Sequence, residues 1–213
     1  MSSSTEESRS TQERRLTAKG RATRDRIVAA AAKLMYERGV AGTSTEDILK
    51  AAQVTSASQL YHYFGDKRSL VQAVIRHQTE QVLGFQRPLL SRLDSFEALE
   101  AWRDAVIQVQ HARGCRGGCP LGSLAAELSD LDPQARAQLV AAYGQWENAI
   151  RDGLRTMQER GELDGDADAG RLALALLTAL QGGLLMTQTH RDTAALEAVL
   201  DAMIDRIRCH AVG

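Results

Sequence analysis

The chain contains 213 residues, which is long enough for one or two domains with a buried core. Its 26 basic and 27 acidic side chains leave a formal net charge of −1, and that total by itself excludes no class of partner. Only three cysteines are present, and no apolar signal-peptide core follows Met1, so a secreted protein built on disulfides is not expected.

The first 22 residues are rich in Ser and Thr, are charged and contain almost no large apolar group. This composition predicts a disordered N-terminal arm over residues 1–22. Its basic residues Arg14, Arg15, Lys19 and Arg21 could touch a phosphate backbone or a minor groove. The alternative is that this run of charge is only a solvated tail.

Helical signals begin after the arm. Apolar residues recur at helical spacing from Ile27 to Met35, and Gly39 predicts the end of this first helix. Thr43 or Ser44 can cap a short second helix, because acidic residues follow within its first turn as in a capping box.

The next segment predicts a third short helix, capped by Thr55 or Ser56, with Leu60 and Phe64 pointing inward. Asp66 can cap the helix that follows. Two short helices joined by a tight turn are what a helix-turn-helix needs to enter a major groove.

The outward side chains of the third helix suit contact with DNA. Ser and Gln can hydrogen-bond base edges, whereas tyrosine hydroxyls and the Lys67 ammonium can bind phosphates. The alternative is that Tyr61, Tyr63 and Phe64 are core aromatics of a helical bundle. Leu60 and Phe64 already fill the inward face, however, which favours the DNA-binding interpretation.

The distribution of charge agrees with this interpretation. Residues 1–77 carry 13 basic and 8 acidic side chains, whereas the remainder carries 13 and 19. All four lysines lie in the first part. The positive field therefore belongs to the segment that would meet a polyanion.

The stretch from Thr23 to His77 resembles the DNA-binding domain of the TetR family of bacterial transcriptional regulators. The likeness rests on the segments RDRIVAAAAKLMYERG, TSTEDI and LYHYFGDKRSL. Between Ile48 and Tyr61 the chain has one residue more than the usual family spacing. The resemblance implies phosphate contacts from Thr45, Tyr61, Tyr63 and Lys67, and base contacts from Ser56, Ala57, Ser58, Gln59 and His62.

The remainder of the chain shows helical periodicity and no strand signal. Pro88, Pro120 and Pro133 fall at predicted helix boundaries. The fold class predicted is therefore all-α, with an N-terminal three-helix helix-turn-helix DNA-binding domain over 23–77 and a larger helical effector-binding and dimerisation domain over 78–213.

Residues 172–190 contain no acidic residue, lysine or arginine, and this length could cross a bilayer. The Gln, Gly and Thr residues in its second half favour instead a helix buried against a partner, and no membrane association is expected. The final predicted helix carries an apolar stripe from Leu196 to Ile207. The family resemblance implies a homodimer through these last two helices.

His111, Cys115 and Cys119 recur every four residues and could be metal ligands on one helix face, but the intervening glycines make an unbroken helix improbable. A regulatory disulfide between the two cysteines is a further alternative. The simplest interpretation places both as small residues at a turn, with no metal and no cofactor.

A small organic effector is implied by the family resemblance. A mixture of apolar and polar residues on the middle helices could form its pocket. No lysine follows Lys67, which favours a neutral or aromatic compound. The residues predicted to line this site are Trp102, Val106, Gln110, Leu121, Tyr143, Trp146, Gln181 and Met186.

The sequence therefore predicts a cytoplasmic, dimeric, ligand-responsive regulator, most simply a repressor that leaves a near-palindromic operator when the effector binds. Two alternatives stay open: a thiol- or metal-sensing regulator acting through Cys115 and Cys119, and a helical scaffold that binds no DNA. No nucleophile elbow, phosphate loop or paired-carboxylate motif is present, so no enzyme activity or catalytic residue is predicted.

Overall fold

A computed structural model describes residues 16–212. Within this range the chain forms nine α-helices. The described residues form no strand, and their one isolated β-bridge joins Leu163 to Ala211. Two compact units are present; one ends at His77 and the other begins at Gln78.

The first unit contains α1 (Ala18–Arg38), α2 (Thr45–Ala51), α3 (Ala57–Phe64) and the start of α4 (Lys67–Leu90). Helices α1, α2 and α3 contact one another. Their core consists of apolar side chains at helical spacing. Its members include Ile27, Val28, Ala31, Met35, Ile48, Leu60, Phe64, Leu70 and Val74.

The predicted disordered arm requires a correction. Residues 1–15 lie outside the described part of the chain, but residues 18–22 belong to α1. The Thr17 hydroxyl caps this helix by accepting a hydrogen bond from the backbone N–H of Gly20 at 3.1 Å. This cap supports a helix that begins before its first buried apolar residue, Ile27.

The second unit contains the rest of α4 and five further helices. They are α5 (Phe96–Ala112), α6 (Pro120–Leu128), α7 (Pro133–Glu159), α8 (Ala169–His190) and α9 (Ala194–Arg208). Pro120 and Pro133 occupy first-turn positions, as predicted. Pro88 instead lies inside the last turn of α4 rather than at its boundary.

Helices α8 and α9 pack closely together. A Cβ added at Gly183 would lie 2.8 Å from Leu196 Cδ1, so only glycine permits this approach. Leu196, Leu200, Ile204 and Ile207 are buried within the chain itself. The same chain therefore covers these four residues of the apolar stripe, whereas Val199 and Met203 are half-buried. A dimer through the last two helices stays a prediction.

The outward face of α8 carries exposed apolar side chains, Leu174, Leu185 and Met186. Among the described residues, α8 is the one helix long and apolar enough to cross a membrane. It contacts α7 and α9, and 39% of its apolar window is buried within the chain.

The turn between α2 and α3 contains a residue with unfavourable backbone geometry. Gln53 has φ 54°, in the left-handed region that favours glycine. The N–H of Val54 bonds the carbonyl of Leu49 at 2.9 Å, and the N–H of Gln53 bonds that of Lys50 at 3.2 Å. These two bonds form a Schellman motif, which usually has glycine at the position of Gln53.

We expect Gln53→Gly to raise the free energy of unfolding of the first unit by about 1 kcal/mol, because glycine adopts this φ without a Cβ clash. The measurement is hydrogen exchange at the Ile48 and Leu60 amides in the full chain, since both tryptophans lie in the second unit. Gln53→Ala is the control and keeps the Cβ. Equal protection in the two variants would contradict the prediction.

Candidate nucleic-acid interface and effector site

Caps hold the two short helices of the first unit. The Ser44 hydroxyl accepts a hydrogen bond from the Asp47 N–H at 3.1 Å and donates one to Asp47 Oδ2 at 2.6 Å. The hydroxyl of Ser44 is the largest cause of a lowered pKa at Asp47, so this carboxylate stays ionised well into the acidic range. Asp66 caps α4 by accepting from the Ser69 N–H at 2.7 Å.

Burial determines how α3 is rotated. Leu60 is 1% exposed and Phe64 is 8% exposed, four residues apart on one face, as predicted. The Arg24 guanidinium of α1 lies 5.5 Å from the centre of the Phe64 ring. The opposite face of α3 therefore points away from the core of this unit.

This outward face of α3 brings together most of the residues predicted to contact DNA. Tyr61 is 54% exposed, although it is a large aromatic residue. Tyr63, Ser56 and Thr45 are half-buried. The other exposed members of the predicted set are Ala57, Ser58, Gln59 and His62.

The start of α3 differs in detail from the expected cap. Ser56 occupies the N-cap position, but its hydroxyl lies 2.6 Å from the Ser58 hydroxyl and caps no backbone N–H. The two hydroxyls form a polar pair at the N-terminal end of α3, the end that would enter the groove first. Hydroxyl pairs of this kind can donate to or accept from a base edge.

The structure assigns Lys67 a role that the sequence did not indicate. Its ammonium donates to the carbonyl of Thr43 at 2.7 Å and to that of Val40 at 3.1 Å. These bonds hold the loop between α1 and α2 against the start of α4. Lys67 is therefore first a structural residue, and phosphate binding would use its remaining N–H.

Lys67→Met is expected to lower the free energy of unfolding of the first unit by about 2 kcal/mol, because charge-assisted bonds to two carbonyls are lost. Hydrogen exchange at the Ile48 amide measures the change. The matched control is Lys50→Met, at an exposed lysine of α2, which should stay within about 0.5 kcal/mol of the parent. A similar loss in both variants would assign the effect to charge alone.

In the second unit, five of the predicted effector residues are buried, and Trp146 is one of them at 2% exposed. Trp102 and Leu121 are fully enclosed, and the Trp102 indole N–H donates to Gln86 Oε1 at 2.9 Å. Val106 and Gln110 are also buried, and Gln110 Oε1 hydrogen-bonds no group of the described chain.

Two further members, Tyr143 and Gln181, meet near the start of α6. The Tyr143 hydroxyl donates to Gln181 Oε1 at 3.5 Å. A Cβ added at Gly122 would lie 3.3 Å from Gln181 Oε1, 3.4 Å from Cys119 Cβ and 3.8 Å from the Tyr143 hydroxyl. Burial raises the pKa of Tyr143, and proximity to Cys119 raises it further.

Met186 requires a correction, because its side chain is 42% exposed on the surface of α8 rather than in the interior. Two residues that lie beside Tyr143 and Gln181 at the start of α6, Cys119 and Gly122, were not among the predicted effector residues. The sequence signal that could have found them is Pro120, which predicts the start of α6: Cys119 precedes this proline, and Gly122 follows it by two positions.

A cavity of about 390 Å³ lies elsewhere in the second unit, between the end of α4 and one face of α7. None of the predicted effector residues lines it. It is partly polar, with both acidic and basic side chains. Its lining residues include Leu83, Arg87, Leu90, Asp94, Gln145 and Asp152.

Cys115 and Cys119 are buried free thiols, and Cys209 is exposed. Across residues 16–212 no group of three potential metal-ligating side chains is close enough to hold an ion. Burial raises the pKa of the Cys119 thiol, although the N–H groups of Gly122 and Leu121 oppose the shift. Cys119 is therefore a protonated thiol at neutral pH.

Alkylation by iodoacetamide should reach Cys209 first, because Cys115 and Cys119 are buried. The rate at Cys119 should still be rising above pH 9, since its folded pKa lies above the ordinary thiol value of about 8.5. Mass spectrometry of native protein sampled over time gives the rate at each site. Equal rates at Cys119 and Cys209 at pH 8 would refute the inert state of the buried thiol.

A short helix with an exposed polar face, held by a capped helix and a tight turn, defines a helix-turn-helix DNA-binding protein. Residues 27–74 match the family described as bacterial regulatory proteins, tetR family. Residues 95–203 match the tetracyclin repressor-like C-terminal domain. The chain therefore belongs to the TetR family of transcriptional regulators.

Individual relatives agree. A helix-turn-helix-type transcriptional regulator from the lacX 3′ region of Lactococcus lactis is 30% identical over 86% of this chain and 92% of its own length. The transcriptional repressor DhaR of Mycobacterium sp. strain GP1 is 25% identical over 86% and 91%. A TetR transcriptional regulator from Chloroflexus aurantiacus has a similar structure, with a TM-score of 0.77 and 27% identity over 92% and 98%.

These findings confirm the predicted family, the all-α fold class and the function of a DNA-binding transcriptional regulator. These relatives are transcriptional regulators. Proteins of this family bind DNA operators and small-molecule effectors and act as dimers. The individual DNA-contacting and effector-contacting residues stay predictions.

Proposed function

We propose that the chain is a cytoplasmic homodimeric repressor that binds a near-palindromic operator in double-stranded DNA and leaves it when a small organic effector binds. The observation that carries this proposal is the outward face of α3. Leu60 and Phe64 fill the buried face of the helix, and Tyr61 is therefore left exposed on the outward face. An exposed aromatic hydroxyl beside polar residues suits a phosphate backbone.

Residues 23–77 form the DNA-binding domain in this proposal. The start of α3 would enter the major groove, with base contacts from Ser56 to Gln59 and from His62. Thr45, Tyr61, Tyr63 and the remaining N–H of Lys67 would contact phosphates. The excess of basic residues up to His77 supplies the attraction to DNA.

Dimerisation would use α8. Its exposed apolar residues, Leu174, Leu185 and Met186, make it the stronger candidate of the last two helices, because four residues of the apolar stripe of α9 are covered within the chain. The two DNA-binding domains of such a dimer, related by a two-fold axis, would bind half-sites about 34–36 Å apart.

Residues 78–213 would hold the effector. A ligand changes DNA affinity only by binding the DNA-competent and DNA-incompetent conformations with different affinities. Trp102, Val106, Gln110, Leu121, Tyr143, Trp146 and Gln181 remain the proposed effector residues, with Cys119 and Gly122 added.

We expect the full chain to bind one near-palindrome selected from random double-stranded DNA, with an affinity that falls linearly as log salt rises. Tyr61→Phe should weaken binding roughly tenfold, because one charge-assisted hydrogen bond to phosphate is lost. Fluorescence anisotropy with a labelled duplex measures both effects.

Ser91→Ala is the control, since it removes an exposed hydroxyl from the second unit and should leave DNA affinity unchanged. Salt-independent binding, failure to select any near-palindrome, or equal affinities of the Tyr61→Phe variant and the parent would contradict the proposed interface.

A further inference from the structure

The interior of the second unit contains two tryptophans, and only one of them has a hydrogen-bond acceptor for its indole N–H within the described chain. The Trp102 indole N–H donates to Gln86 Oε1 at 2.9 Å. Trp146 is 2% exposed, yet its indole N–H hydrogen-bonds no group of the described chain. A buried donor without an acceptor costs about 1–3 kcal/mol, and such donors are rare in native proteins. An acceptor from outside the chain would remove this cost.

A second unpaired donor lies nearby. Gln181 Nε2 is buried and hydrogen-bonds no group of the described chain, because the Tyr143 hydroxyl engages the oxygen of the same amide. The neighbouring Cys119 thiol is a weak acceptor; the Gln181 amide would stabilise its thiolate, but it forms no hydrogen bond with the neutral thiol.

Helix geometry places the two donors in the same region of the second unit. Tyr143 and Trp146 are three residues apart on α7, so their side chains are neighbours on one face. The Gln181 amide contacts the Tyr143 hydroxyl from α8. Trp146 therefore lies about one helical turn, roughly 5 Å along α7, from the residue that touches Gln181.

The two titratable side chains placed next to Gln181 are uncharged. Tyr143 and Cys119 are both protonated at neutral pH, because burial raises both pKa values. Arg113 acts on Cys119 only through its charge and is an exposed side chain, so solvent screens it. A carboxylate placed here would be buried without a close cation, which is costly.

We infer that the effector is an uncharged carbonyl compound whose oxygen accepts hydrogen bonds from Trp146 Nε1 and Gln181 Nε2. The inference rests on the proposed function, because it assigns a chemical class to the effector of the same second unit. Gly122 helps to shape the site, since any side chain there would press on Gln181 Oε1 at 3.3 Å.

Three phenyl compounds of similar size test the class: acetophenone, ethylbenzene and benzoate. They are titrated into the full chain while the two indole N–H resonances are followed by NMR. Acetophenone should bind saturably and shift the Trp146 N–H resonance downfield, leaving that of Trp102 in place. Its dissociation constant should be at least about tenfold lower than that of ethylbenzene, because buried hydrogen bonds are restored. It should be lower than that of benzoate by a similar factor, because the charge of benzoate would be buried without a close cation.

Variants assign the preference to the named donors. Trp146→Phe and Gln181→Met each remove the N–H donor and leave an apolar side chain, and each should reduce the preference for acetophenone over ethylbenzene towards one. Thr178→Val is the matched control on the outward face of α8 and should keep the parent ratio. If Trp146→Phe does not fold, Gln181→Met and the parent resonances still decide the outcome.

The inference is overturned if acetophenone does not bind, if it binds no tighter than ethylbenzene, or if the preference survives in both variants. An unmoved Trp146 resonance would mean that water satisfies this donor, and a preference for benzoate would identify an anion site. Operator binding is measured on the same preparation. Loss of ketone preference with intact DNA binding refutes only the effector class, whereas absent DNA binding refutes the proposed regulator.

Discussion

Helix α3 has eight residues, and a helix this short can bury only one side against its neighbours. Leu60 and Phe64 take that side, and the Arg24 guanidinium lies against the Phe64 ring at 5.5 Å. Their burial sets the rotation of the helix about its axis. Every DNA contact proposed for α3 depends on this rotation, because a different buried pair would turn Gln59, Tyr61 and His62 into the core.

Much of the first unit could be predicted because its information is local. A Ser followed by an acidic residue three positions later indicates a helix start, and the i, i+4 spacing of Leu60 and Phe64 indicates a buried face. Lys67 could not be assigned in this way. Its partners, the carbonyls of Val40 and Thr43, lie 27 and 24 residues earlier in the chain, and backbone carbonyls carry no sequence signal.

The second unit was less predictable for a related reason. Helix α8 is apolar on nearly all sides, so its sequence does not distinguish the face packed on α7 and α9 from the face that carries Leu174 and Met186. The effector residues could be proposed as a set from the sequence. Their hydrogen-bond partners could not be predicted, because whether an indole N–H has an acceptor depends on tertiary contacts such as that between Trp102 and Gln86.

The engagement of Lys67 with two backbone carbonyls also bears on how such a regulator could acquire new target genes. The groups that keep the loop and the helix start in place are main-chain oxygens and one ammonium, whereas the exposed residues Ala57, Ser58 and Gln59 at the start of α3 contribute nothing to the core. Substitutions at these positions can therefore accumulate without unfolding the first unit. Operator preference can drift between lineages while the architecture that presents it stays under selection.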